Sequence, residues 1–220
     1  MTSQIDIYTL HQPDWIHRID ALEALLNQEE TARAERFRFP RDRHSFIICR
    51  GWLRLLAADR LNSSASDISF EYGYKGKPSI SGLSFNLSHS KDWVAFAFAE
   101  NGQLGLDMEP YRNYPQAIDI ASRFFSAEEA SMLEGLDDDS ERDRRFFDLW
   151  TRKEALIKAT GKGLSLPLNR FFVGLDESFV DDGCGNYWQL QSLSLVDGYA
   201  MALCFSENSG WRKLAVPELL

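Results

Sequence analysis

Between residues 149 and 159 apolar positions go all the way round a helical wheel. Trp150 and Ile157 share one sector, Leu149 and Leu156 another, Ala155 and Ala159 a third. A helix apolar on every side is a buried one. Ser140 and Asp143 read as a capping box that starts it near residue 140, and Gly161 offers the positive-φ stop. Glu154 and Lys158, four residues apart, stand on the face of Trp150 and Ile157. On a solvated helix such a pair contributes about 0.2–0.5 kcal/mol and means little. Among buried neighbours it calls for a partner such as a metal or a phosphate.

Upstream, Ile5–Tyr8 alternates as a strand and Asp20–Glu30 as an amphipathic helix. After Pro40 a helix turns Phe46, Ile47, Trp52, Leu53, Leu55 and Leu56 inward. Ile68–Tyr72 reads as a strand running into Gly73-Tyr74-Lys75-Gly76-Lys77-Pro78. Leu83, Phe85 and Leu87 alternate and end in the polar turn Ser88-His89-Ser90. Trp93–Ala99, the Asn101-Gly102 turn and Gln103–Glu109 read as a hairpin. On its return strand Leu104, Leu106 and Met108 face one way and Gly105, Asp107 and Glu109 the other. The two carboxylates lie about 7 Å apart at Cβ by strand geometry, opposite Phe96 and Val94. Like charges side by side among apolar groups invite a hard cation. Further on, Ile118–Phe125 and a helix capped by Ser126 with Glu129 are expected, then strands at Phe171–Val173, Tyr187–Val196 and Tyr199–Phe205.

Composition narrows the class. The 220 residues, 44% hydrophobic and 26% charged, suit one large domain or two small halves. A formal charge of −9 argues against nucleic-acid binding. No apolar run reaches membrane-span length and the amino terminus lacks a signal pattern. The odd set Cys49, Cys184 and Cys204 suggests reduced thiols and a cytoplasmic location. Against the acidic balance, Arg33, Arg36, Arg38, Arg41, Arg43, Arg50 and Arg54 crowd one stretch. Guanidinium forks suit phosphate oxygens, so a phosphate-binding cluster is expected there. The turn carrying Lys75 and Lys77 is not a P-loop, and no GxSxG elbow exists for a serine hydrolase.

Taken together the pieces resemble the 4′-phosphopantetheinyl transferases of the surfactin-synthetase-activating type. That family pairs a GxDxE strand with a later WxxKEAxxKxxGxGL run. Gly105-Leu106-Asp107-Met108-Glu109 and Trp150 through Leu164 match at every fixed position. Gly76-Lys77-Pro78, Phe85-Asn86-Leu87-Ser88-His89-Ser90 and Phe124-Phe125-Ser126 also match in order, and the likeness spans residues 30 to 175.

The resemblance implies an α+β fold of two similar α/β halves about a pseudo-twofold axis, each a small antiparallel sheet packed with helices. The halves are expected at 1–104 and 105–220, in a monomer. It implies transfer of the phosphopantetheine arm of coenzyme A to a serine of an apo acyl, peptidyl or polyketide carrier protein. Release of 3′,5′-ADP and a need for Mg²⁺ come with it. By the same resemblance Asp107, Glu109 and Glu154 bind the metal, Glu154 is the base, and Lys158 contacts the pyrophosphate. Arg33, Lys77, Ser88 and His89 match coenzyme contacts. Two other readings compete: a Mg²⁺-dependent hydrolase of nucleotide pyrophosphates, and a binding protein that has lost its chemistry. The acids and lysines of both motifs are intact, which favours the transferase.

Overall fold

The computed structural model describes residues 4–73, 76–206 and 210–217. The first half runs β1 (Gln4–His11), a 3₁₀ turn, α1 (Ile19–Glu23), α2 (Gln28–Glu35), α3 (Pro40–Leu61), β2 (Glu71–Tyr72), β3 (Pro78–Ser79), β4 (Ser84–Ser90) and β5 (Trp93–Ala99). The second runs β6 (Leu104–Pro110), α4 (Ala117–Phe124), α5 (Ala127–Glu134), α6 (Asp139–Thr160), β7 (Phe179–Asp181), β8 (Tyr187–Ser192), β9 (Tyr199–Phe205) and β10 (Gly210–Leu214).

Alternation along the strands builds four layers. Val94, Phe96 and Phe98 of β5 join Ile47, Trp52 and Leu56 of α3 in one core. Ala95, Ala97 and Ala99 point the other way, onto Leu104, Leu106, Met108, Met201, Leu203 and Phe205 of the second sheet. Ala200, Ala202 and Cys204 of β9 face α6 in a third core with Leu149 and Leu156. The order is helix, sheet, sheet, helix, an α+β architecture with a 22-residue helix on each outer face.

The first sheet has the order β10-β1-β5-β4 and the second β6-β9-β8-β7. Every named pair is antiparallel except β10, which returns from the end of the chain and runs parallel to β1. The expected hairpin of β5 with β6 does not form. Both edges of β5 are taken, by β1 and by β4, so β6 crosses to the other sheet and pairs with β9. Val94 and Phe96 lie opposite His89 and Leu87, not opposite the carboxylates.

Other expectations shift with packing. Asp20–Glu30 is two helices, because Asn27 caps α2 in a full capping box with Glu30. Asp138, not Ser140, caps α6 and accepts from the Ser140 and Glu141 amides; Asp143 accepts instead from the Tyr114 amide at 2.8 Å. The expected strand at 68–72 shrinks to Glu71–Tyr72, and Phe171–Val173 form no strand. Lys75 lies outside the described residues. Gly161 does end α6, at φ 66°.

Candidate active site

The site forms where β4 of one sheet runs beside β6 of the other. β6 is an edge strand, so its outward amides and carbonyls need partners. Side chains of both halves supply them. Asn86 Oδ1 accepts from the Leu106 amide at 2.9 Å, and Ser88 Oγ from the Met108 amide at 3.3 Å. Lys77 Nζ donates to the Leu104 carbonyl at 3.4 Å, and Lys158 Nζ to that of Leu106 at 3.1 Å. Asn86, Ser88 and Ser90 occupy alternate positions of one strand, so all reach β6. That period of two (86, 88, 90) was the available sequence signal for Asn86 and Ser90.

The opposite wall is α6, pressed onto β6 at Gly105. A Cβ at Gly105 would overlap the Ala155 carbonyl oxygen and the Ala159 amide nitrogen. Only glycine lets the helix approach this closely. Residues 107 and 109 share the face of Gly105, and residues 154 and 158 flank its contact on the helix. The close approach therefore sets Asp107 and Glu109 against Glu154 and Lys158.

Lys158 Nζ lies 2.7 Å from Asp107 Oδ1 and 3.1 Å from Ser88 Oγ. Ser88 in turn donates to Asp107 Oδ1 at 2.9 Å. Glu109 Oε2 accepts from Ser90 Oγ at 3.1 Å and from Arg112 at 3.2 Å. Burial holds the Asp107 carboxyl above the ordinary carboxylate range, against the pull of Lys158. Burial, then the neighbouring charge of Asp107, raises Glu154 in the same direction. His89 is pushed down by burial and by Lys158.

These groups line one open cavity of about 460 Å³, together with Trp150. Six sequence-predicted site residues meet there: Ser88, His89, Asp107, Glu109, Glu154 and Lys158. Lys77 does not line it. Its ammonium is turned onto the Lys158 carbonyl at 2.6 Å, and burial followed by the Lys158 charge lowers its pKa. Arg33 lines an adjoining cavity of about 430 Å³ with Arg50, and Leu87 and His89 belong to both cavities.

The arginine cluster is largely dispersed. Arg54 is buried on Glu30 at 2.8 Å and on the Ala65 and Ile68 carbonyls. Arg41 pairs with Asp92 and Arg43 with Glu23. Packing of α1, α2 and the β4–β5 turn against α3 brings Glu23, Glu30 and Asp92 to these arginines, which sequence spacing does not reveal.

The expected three-acid metal group is not assembled: among the described residues no three acids, histidines or cysteines converge at metal-binding spacing. Lys158 takes Asp107 and Arg112 takes Glu109. The donor chemistry nevertheless suits a hard cation. Asp107 Oδ2 is buried without any partner, a costly state for a carboxylate oxygen.

Residues 103–204 match the family described as the 4′-phosphopantetheinyl transferase superfamily, and residues 12–101 match 4′-phosphopantetheinyl transferase, N-terminal. The transferase Sfp of Bacillus subtilis is 34% identical over 82% of this chain and 82% of its own length. The chain belongs to the 4′-phosphopantetheinyl transferase superfamily. A second relative of the superfamily, the transferase gsp of Aneurinibacillus migulanus, is 30% identical over 92% of this chain and 87% of its own. HetI of a Nostoc species is 38% identical over 71% and 67%. The superfamily match starts just before β6 and the other stops just after β5, so the seam between the two matches coincides with the crossing between sheets.

Proposed function

We propose that this enzyme moves the 4′-phosphopantetheine arm of coenzyme A onto a serine of an apo acyl, peptidyl or polyketide carrier protein. 3′,5′-ADP leaves. The observation that carries the reading is the convergence of Glu154, Lys158 and Asp107 on one cavity with Ser88 and His89. Phosphoryl transfer asks chiefly for positioning and neutralisation of charge. Glu154 takes the proton of the carrier serine; its raised pKa brings it nearer to working pH as a base. Lys158 gives its ammonium to the pyrophosphate. His89, at the junction of the two cavities, and Arg33, which lines the second one, read the coenzyme's 3′-phosphate. Lys77 serves from behind, by holding the end of α6 to β6.

Asp107, Glu109 and Glu154 are the residues that would hold Mg²⁺, with Asp107 Oδ2 the unpaired oxygen ready for it. Bound there, the ion would neutralise charge on the pyrophosphate. In this proposal the chain works as a cytoplasmic monomer whose halves, 1–104 and 105–220, divide the coenzyme contacts from the metal acids. Among the described residues no helix is long and apolar enough to cross a membrane.

Incubation with coenzyme A, Mg²⁺ and a panel of apo carrier proteins tests the reading by intact mass. A carrier gaining one phosphopantetheine supports it. Consumption of coenzyme A with every carrier unchanged replaces it by the hydrolase.

A further inference from the structure

One buried cation that the chemistry does not use, Lys153, sits one residue from the base, on the side of α6 away from Gly105. Lys153 and Glu129 have no solvent exposure and lie 2.7 Å apart. The Lys153 ammonium also donates to the Leu168 and Phe171 carbonyls, each at 2.9 Å, so all three of its donors are used. The Phe125 and Phe171 rings lie 5.3 and 4.5 Å from it. Glu129 accepts from the Val173 amide at 2.9 Å and, with its other oxygen, from Ser126 at the start of α5. Arg152, beside Lys153, donates to the Val173 carbonyl at 2.9 Å.

A buried ion pair is weak evidence for stability, because desolvation consumes the Coulomb gain. What this one fixes is geometry. α5, α6 and the 168–173 segment meet at a single ammonium, and the residue carrying it immediately precedes Glu154. The opposite side of α6 is pinned by Gly105 against Ala155 and Ala159. The helix cannot turn about its axis without breaking one contact or the other.

We propose that Lys153 is a positioning residue for the transfer: through Glu129 and the 168–173 carbonyls it sets the rotation of α6 that aims Glu154 and Lys158 at Asp107. The inference rests on the transferase reading of the cleft. Lys153 does not line that cleft, so it touches no substrate itself.

The test uses Lys153→Met combined with Glu129→Gln, which removes both charges and keeps side-chain length, and Glu129→Gln alone as the milder variant. Circular dichroism gives the folded fraction, calorimetry gives coenzyme A affinity, and amide NMR reports on Gly105 and Asp107. The expected result is coenzyme A affinity within about threefold of wild type. With it go a kcat lower by about 10–100-fold and displaced Gly105 and Asp107 signals. A kcat per folded enzyme within about twofold of wild type overturns the proposal. So does loss of kcat and affinity in equal measure with both signals in place, which marks a purely structural pair. Should the double variant not fold, Glu129→Gln alone carries the same three readouts. Should the wild-type chain transfer nothing, the transferase reading fails separately, and the two amide signals still decide whether Lys153 orients α6.

Discussion

The ammonium of Lys158 is held 2.7 Å from Asp107 Oδ1, with Ser88 Oγ and the Leu106 carbonyl completing its partners. Three oxygens around one cation resemble an incomplete coordination shell. This explains why three carboxylates can share one cavity in the folded chain: Lys158 and Arg112 each neutralise one of them.

Lys158→Met is therefore expected to move two measurements in opposite directions. Calorimetric affinity for Mg²⁺ in the absence of coenzyme A rises, because the competing ammonium is gone from Asp107. Transfer falls by about 10²–10³-fold, the usual cost of one charge-stabilising donor. Weaker binary Mg²⁺ binding in this variant would show that Lys158 does not compete for the acid.

Gly105→Ala tests the close approach of α6 to β6. The new methyl meets helix backbone on two sides, which cannot move aside as a side chain tip can. Destabilisation of about 3 kcal/mol is expected in chemical denaturation, at the upper end of ordinary overpacking. Stability equal to wild type would mean that the helix is free to shift.

His89→Ala is expected to weaken coenzyme A binding and to leave dephospho-coenzyme A almost unaffected. The side chain stands where the two cavities join, within reach of one phosphate more than the shorter ligand carries. Calorimetry with both ligands decides; equal losses would put the 3′-phosphate elsewhere.

Asp182 gives a stability prediction away from the chemistry. Burial works to raise its pKa. Bonds from the Asn186 side chain, Lys162 and the Cys184 and Asn186 amides outweigh that and bring it to about 2. A folded pKa below the unfolded value of 3.8 stabilises the fold above that value. The contribution is lost as pH falls through the folded pKa. Asp182→Asn is expected to cost about 2 kcal/mol at neutral pH, with the gap to wild type closing as pH falls from about 5 toward 2. Denaturant titrations across that range check it; a gap independent of pH would contradict the assignment.

Sequence and structure agree where a short period decides the outcome. Alternation at Leu104, Leu106 and Met108 gave the inner face of β6, and the buried helix read from Leu149 to Ala159 is the helix observed. They part where a partner lies far along the chain. β6 meets β9 because β1 and β4 already occupy β5, and no local pattern carries that information. Glu30 reaches Arg50 and Arg54 only once α2 packs on α3, so the arginine stretch looked freer than it is. Lys77 differs for another reason: its acceptors are backbone carbonyls, which no side-chain pattern displays. The candidate-site residues on β4, β6 and α6 were legible because three short motifs, Phe85–Ser90, Gly105–Glu109 and Trp150–Leu164, carry them, but the grip of Lys158 on Asp107 was not.

The most direct measurement is the ratio of 3′,5′-ADP formed to holo carrier formed, followed in one reaction with coenzyme A, Mg²⁺ and an apo carrier protein. Wild-type enzyme is expected to give one for one, with no 3′,5′-ADP when the carrier or its serine is absent. Glu154→Gln is expected to slow both products together by about 10²–10⁴-fold. Formation of 3′,5′-ADP without a carrier, or a Glu154→Gln rate equal to wild type, would contradict the account.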